Sequence, residues 1–123
     1  MNIIICGAGE VGYNIASLLS DEKNEITIID HDENRIEHIS GKLDVRTLIG
    51  YASHPNILKE AEADKCDMII AVTQSDEINM ISCQIANLLF KVPIKIARVR
   101  SEAYNKEEWN NLFNESLFSI DAL

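Results

Sequence analysis

The chain has 123 residues, with 20 acidic against 11 basic side chains, a formal net charge of −9 and 46% hydrophobic residues. This is globular composition for one compact domain over residues 1–123, too short for a second core. The acidity excludes a general nucleic-acid binder and attachment to an anionic membrane face, no apolar run approaches the ~20 residues of a membrane span, and no basic segment marks a signal peptide.

Five β-branched runs follow in order, each leading into a helical pattern. Asn2–Cys6 predicts the first strand, nearly continuous in apolar residues as a parallel strand covered on both faces requires. Val11, Ile15, Leu18 and Leu19 share one face of the helix after it. Ile26–Asp30 predicts the second strand, and Ile36, Ile39 and Leu43 mark the second helix. Val45–Ile49 predicts the third strand. Ile57, Leu58 and Ala61 mark a short helix that Pro55 opens at its first turn, with Ser53 as N-cap. Met68–Val72 predicts the fourth strand. The longest apolar stripe is Ile78, Ile81, Ile85, Leu88 and Leu89, ending before Pro93; most of it is expected in the core, the remainder at an assembly surface. Ile94–Val99 predicts the fifth strand, Trp109, Leu112 and Phe113 a tail helix, and Leu117–Ile120 a brief last strand. Strict β–α alternation with short connections specifies an α/β fold, a doubly wound parallel sheet of Rossmann type in three layers. Cys6, Cys66 and Cys83 are odd in number and form no CxxC pair, so they predict buried thiols and no zinc site.

Gly7-Ala8-Gly9-Glu10-Val11-Gly12 fits G-x-G-x-x-G between the first strand and the first helix. Gly7 serves the tight turn, Gly9 lets the backbone approach a pyrophosphate, and Gly12 lets the helix pack closely on the strand. The helix start supplies unpaired N–H groups and a positive dipole end, so phosphates can be held without net positive charge. Asp30 ends the second strand, placed to accept hydrogen bonds from ribose hydroxyls and to repel a 2′-phosphate. Arg35 either covers an adenine face or stays a solvated helix-start arginine, and His31 reads as a turn residue beside the same pocket.

Three more segments reach the carboxyl edge of such a sheet. Gly50-Tyr51-Ala52 offers Tyr51 and Ala52 to an adenine pocket. Thr73-Gln74-Ser75-Asp76-Glu77 offers polar groups to the phosphates or second ribose, with Asp76 and Glu77 also suited to a helix first turn. Arg98 and Arg100 share a strand face, and an arginine there can grip a pyrophosphate bidentately; a surface salt bridge is the rival role for Arg100. No Tyr-x-x-x-Lys pair, Ser/His/Asp or Cys/His grouping or metal-ligand spacing accompanies these residues, so no catalytic or metal residues are assigned. The reading is ligand binding without chemistry, with an NAD-dependent oxidoreductase cofactor domain cut from its catalytic domain as the alternative.

Gly7-Ala8-Gly9-Glu10-Val11-Gly12, Ile29-Asp30, Gly50-x-Ala52-Ser53-His54-Pro55, Asp67 to Thr73, Ser75-Asp76-Glu77-x-Asn79-Met80 and Ile96-Ala97-Arg98-Val99-Arg100 occur in this order. Together they resemble the N-terminal nucleotide-binding domain of Trk potassium-uptake regulators, in the regulator of potassium conductance family, over about residues 1–120. The resemblance implies a cytoplasmic subunit, peripheral to the inner face of the membrane. It implies a homo-oligomer that assembles on a membrane potassium transporter subunit and gates it according to bound nucleotide. It implies NAD(H), with ATP or ADP competing for the same site in some members. By position it places ligand contacts on Gly7 to Val11, Asp30, Tyr51, Thr73, Gln74 and Arg98. Many relatives carry Asp where Tyr51 stands, which replaces a polar contact by stacking, and ATP-preferring relatives often carry Arg in place of Glu10, which favours NAD(H) here. The family's complete proteins have further domains, so a fragment of a longer chain is expected.

Overall fold

The computed structural model describes residues 1–113. Its elements run β1 (Asn2–Cys6), α1 (Glu10–Ser20), β2 (Glu25–Asp30), α2 (Glu33–Ser40), β3 (Arg46–Ile49), α3 (Pro55–Glu60), β4 (Met68–Ala71), α4 (Asp76–Phe90) and β5 (Ile94–Ala97). A short 3₁₀ turn lies at Ala63–Lys65, and the expected tail helix is an irregular 3₁₀ segment, Glu107–Phe113, kinked at Trp109. The expected strand at Leu117–Ile120 falls outside the described residues.

The strands form one parallel sheet in the order β3-β2-β1-β4-β5. Successive strands are added on one side of β1 as far as β3 and on the other from β4 onward, so the switch point at which such folds open a crevice lies between β1 and β4. Alternation along each strand separates two cores. Ile3, Ile5, Ile26, Ile28 and Ile70 pack with Ala16, Ile36 and Ile39 of α1 and α2. Ile4, Cys6, Ile29, Ile69 and Ala71 pack with Leu58, Cys83 and Ala86 of α3 and α4. Helices therefore cover both faces, which is the doubly wound, three-layer arrangement. All three cysteines are buried thiols outside any disulfide. Burial pushes the Cys6 thiol well above its ordinary pKa and raises Cys66 to about 11, so both stay protonated and inert.

The helical stripes turn differently from expectation. In α4 the buried residues are Asn79, Met80, Ser82, Cys83 and Ala86, whereas Ile81, Leu88 and Leu89 are exposed, Leu88 at 56%. In α1 the buried residues are Gly12 and Ala16, and Leu18 is 72% exposed. The reason is proximity: short side chains let these helices lie close on the sheet, and the large apolar row sits one helical step away. Ser53 is likewise not the N-cap of α3. Pro55 at the first helical position sets the start, His54 occupies the cap, and no side chain closes it. Strand ends move by one or two residues, where the ladders fray; Val72 and Arg98 still donate backbone bonds to Cys6 O and Ala71 O.

α2 begins under a cap of its own. Asp32 Oδ1 accepts from the backbone N–H of Asn34 at 2.9 Å and of Arg35 at 3.3 Å. Asp32→Ala should lower the unfolding free energy by about 1 kcal/mol, the usual worth of such a cap, in urea denaturation. No change would mean that the first turn of α2 is held by its packing instead.

Candidate functional site

The loop after β1 is dictated by two glycines. Gly7 has φ +113°, and a Cβ there would lie 2.9 Å from Val72 O. Its N–H donates to Ile29 O at 2.8 Å, so the turn is fastened to β2 while pressed against the end of β4. A Cβ on Gly12 would lie 1.8 Å from Gly7 O, so the first turn of α1 rests directly on the loop. Gly9 is different: only Arg35 Nη1, at 4.0 Å, comes near its missing Cβ. The space over Gly9 belongs to a cleft of about 520 Å³ along the carboxyl edge of the sheet.

Gly9 is also the N-cap of α1, and no side chain caps that helix. α2 and α4, whose first turns reach the same edge, are capped by Asp32 and by Ser75, whose Oγ accepts from Ile78 N. The first-turn N–H groups of α1 have no intrahelical acceptor, and the turn lines the cleft through Glu10 and Val11. That leaves a seat for an anion.

Asp30 closes the loop from the β2 side. It is 6% exposed, its Oδ2 accepts from Ala8 N at 2.8 Å, and its Oδ1 accepts from Asp32 N at 2.8 Å. Each carboxylate oxygen keeps a second acceptor position, enough for ribose hydroxyls. Ala8 spends its N–H on this bond and is itself buried, so Ala8 and Gly12 support the cleft without lining it. Arg35 Nη1 lies 3.8 Å from Asp30 Oδ2 and its Nε 3.9 Å from Asp32 Oδ2. The ring of His31 stacks on Tyr51, centroids 4.6 Å apart and 7° from parallel, and His54 lies tilted against Tyr51 at 5.4 Å. Tyr51 remains 44% exposed, and Ala52 is buried beside it while touching the cleft. This end of the cleft is a flat aromatic wall next to a carboxylate.

The other end is built by the segments after β4 and β5. Thr73, Gln74, Arg98 and Arg100 all line it. The hydroxyl of Thr73 turns inward and donates to Asn79 Oδ1 at 2.7 Å. The Arg98 guanidinium also leans on the protein, with Nη2 donating to Val72 O at 2.9 Å and Thr73 O at 2.8 Å. Its Nε is buried with no partner. Burial, with the like charge of Arg100, lowers the pKa of Arg98 from its ordinary value, but a guanidinium stays charged. The rival role for Arg100 takes an unexpected form: Asp76 meets its backbone, accepting from Arg100 N at 3.0 Å and Ser101 N at 2.8 Å. These two donors, Arg100 first, hold the Asp76 carboxyl below its ordinary range.

Within a chain of net charge −9, the cleft sets Arg35, Arg98 and Arg100 against Glu10, Asp30 and Asp32. It is locally balanced, and the uncapped helix end adds positive potential. A smaller groove of about 360 Å³ lies at the opposite, amino edge, lined by Asn2, Asn24, Asp44 and Arg46 among others, away from the glycine loop. Among the described residues no group of His, Cys, Asp and Glu could hold a metal ion, and no helix is long and apolar enough to cross a membrane. Asn79 is the residue whose role the sequence did not disclose. The available signal was an amide on the inner face of α4, in one row with Cys83 and Ala86.

A family model described as the TrkA-N domain matches residues 3–114. The Trk system potassium uptake protein TrkA of Halomonas elongata is 46% identical over all of this chain, which covers 26% of that protein. Its namesake from Azorhizobium caulinodans is 42% identical over the whole chain, covering 27% of that protein. The chain thus spans about a quarter of the length of these relatives. Among solved structures, the NAD(P)-binding domain of an exopolyphosphatase-related protein from Archaeoglobus fulgidus superposes with TM-score 0.79 at 15% identity, over 98% of this chain and 85% of that one. A GsuK channel bound to NAD superposes with TM-score 0.72 at 18% identity, over 84% of this chain and 18% of that one. These two likenesses establish the fold.

Proposed function

This chain belongs to the TrkA-N domain family, and from that membership we propose that it is a regulatory module that binds NAD(H) along the carboxyl edge of its sheet. The observation that carries the reading is Asp30, a buried carboxylate fastened to the glycine loop beside an uncapped helix N-terminus in one cleft. Adenosine would lie between Asp30 and the Tyr51 wall, and the diphosphate over Gly9, Glu10 and Val11. The distal ribose and nicotinamide would lie toward Gln74 and Arg98. Glu10 puts an acid beside the glycine loop in this cleft, which disfavours the extra charge of a γ-phosphate, so ADP would compete at this site better than ATP. The relatives named as potassium uptake proteins, and the channel named as bound to NAD, support a regulatory role over a catalytic one. In this role the domain gates a membrane potassium transporter from the cytoplasmic side as part of an oligomer. Gating requires the nucleotide to bind two arrangements with different affinity, since tight binding alone shifts nothing.

Calorimetry and thermal unfolding with NADH, NAD, ADP and ATP test the reading. A ligand at 100 times its dissociation constant should add about 2.7 kcal/mol to stability. Saturable binding of NADH or NAD, with ATP weaker, is the expected result. Absence of binding by all four nucleotides would sink it, and substrate-dependent oxidation of NADH would reassign the domain to catalysis.

A further inference from the structure

The part of the cleft built by β4 and β5 depends on a residue that does not line it. Asn79 is fully buried on the inner face of α4. An apolar side chain could fill that position among Met80, Cys83 and Ala86, and a buried amide there is unfavourable unless all its groups are matched. They are all matched, and all by one edge of the cleft. Its Oδ1 accepts from Thr73 N at 2.9 Å and from the Thr73 hydroxyl at 2.7 Å. Its Nδ2 donates to Thr73 O at 3.1 Å and to Arg98 O at 2.8 Å. An amide offers two acceptor positions and two donors, so none is left over.

These four bonds sit where the sheet ends. The ladder between β4 and β5 closes with Arg98 N on Ala71 O. Beyond that bond Asn79 joins Thr73 to Arg98 main chain, and the Arg98 guanidinium then returns to Thr73 O and Val72 O. The positions of Thr73 and Arg98 are therefore set through α4. No hydrogen bond links Asn79 to Asp30, Tyr51 or the glycine loop, which rest on their own bonds; Gly7 meets the Val72–Thr73 peptide by packing alone.

We infer that Asn79 is the positioning residue for the distal half of the cleft, the half that takes the second phosphate and second nucleoside of a dinucleotide. The inference rests on the NAD(H) reading above and makes a claim that the reading does not: loss of Asn79 acts according to the length of the ligand. AMP ends at the first phosphate and uses the half held by Asp30 and the glycine loop. NAD reaches both halves.

The test is calorimetric titration of the protein with NAD and with AMP, for wild type, Asn79→Asp and Thr73→Val. Asn79→Asp keeps the shape and the acceptor but turns carboxylate oxygen toward Thr73 O and Arg98 O. Its dissociation constant for NAD should rise by about tenfold or more, with that for AMP within about twofold of wild type. Thr73→Val removes one of the four bonds and should weaken NAD by about threefold, again sparing AMP. A merely structural residue would weaken both ligands alike, so parallel losses, or no loss, would overturn the assignment. If Asn79→Asp does not fold, Thr73→Val decides by the same comparison. A wild type that binds AMP as tightly as NAD also overturns it, because no distal half is then in use. A wild type that binds neither nucleotide overturns the NAD(H) reading itself, and the positioning role with it.

Discussion

Gly12→Ala should lower the unfolding free energy by about 3 kcal/mol or more, at the upper end of what overpacking by one methyl produces. The added Cβ would sit 1.8 Å from Gly7 O and 2.9 Å from Gly7 C, both main-chain atoms. Rotation about χ1 offers no escape, because the Cβ itself is the obstruction. The Gly7 carbonyl cannot retreat easily either: its residue is bound to Ile29 O on one side and pressed by the Val72–Thr73 peptide on the other. Either α1 lifts from β1, exposing Ile5 and Ala16, or the loop opens. For a domain of this size the thermal midpoint should fall by on the order of 10 °C. Gly9→Ala is the control, since its Cβ meets only the tip of Arg35. Circular dichroism with urea and heat reads both variants, and a Gly12→Ala loss below about 1 kcal/mol would show a loop that yields.

Asp30→Asn should weaken NAD(H) binding by about tenfold or more and also lower stability by about 1–2 kcal/mol. The double effect follows from the hydrogen bonds. Ala8 N and Asp32 N each need an acceptor, and aspartate supplies one on each oxygen. Asparagine supplies one acceptor and one NH₂, so one backbone donor faces another donor. Arg35 loses one of its two partner charges at the same time and keeps Asp32. Asp30→Ala would confound the two effects further by leaving both donors bare. Titration calorimetry beside denaturation separates them: lowered stability with unchanged nucleotide affinity would confine Asp30 to shaping the loop.

Much of the fold and of the loop could be read in advance because backbone constraints have few solutions. Gly7 and Gly12 stand where no side chain fits, and their spacing between a strand and a helix leaves one common arrangement. Asp30 was readable for the same reason, as an acid at the end of the neighbouring strand. Side-chain direction was not readable. That Thr73 turns its hydroxyl inward, and that Arg98 leans on two carbonyls, depends on Asn79, which is 6 residues from one and 19 from the other. The His31–Tyr51 stack depends on β2 and β3 ending side by side, which only the register Asp30↔Ile49 brings about. On α4, hydrophobicity marked the row of large residues, but closeness to the sheet selected the row of small ones.

The cleft has its two walls on different portions of the chain. The glycine loop, Asp30 and Tyr51 come from β1 to β3, and Thr73 and Arg98 from β4 and β5. Within the sheet these portions meet only at the β1–β4 ladder, whose register pairs Ile3 to Cys6 with Met68 to Ala71. Such a seam is a natural line for partial opening, in which each portion keeps much of its internal order. A molecule bound across the carboxyl edge bridges that line and behaves as a removable cross-link. Its binding energy then opposes separation of the two portions as well as complete unfolding, and its departure returns to the domain a freedom of movement that the empty cleft permits.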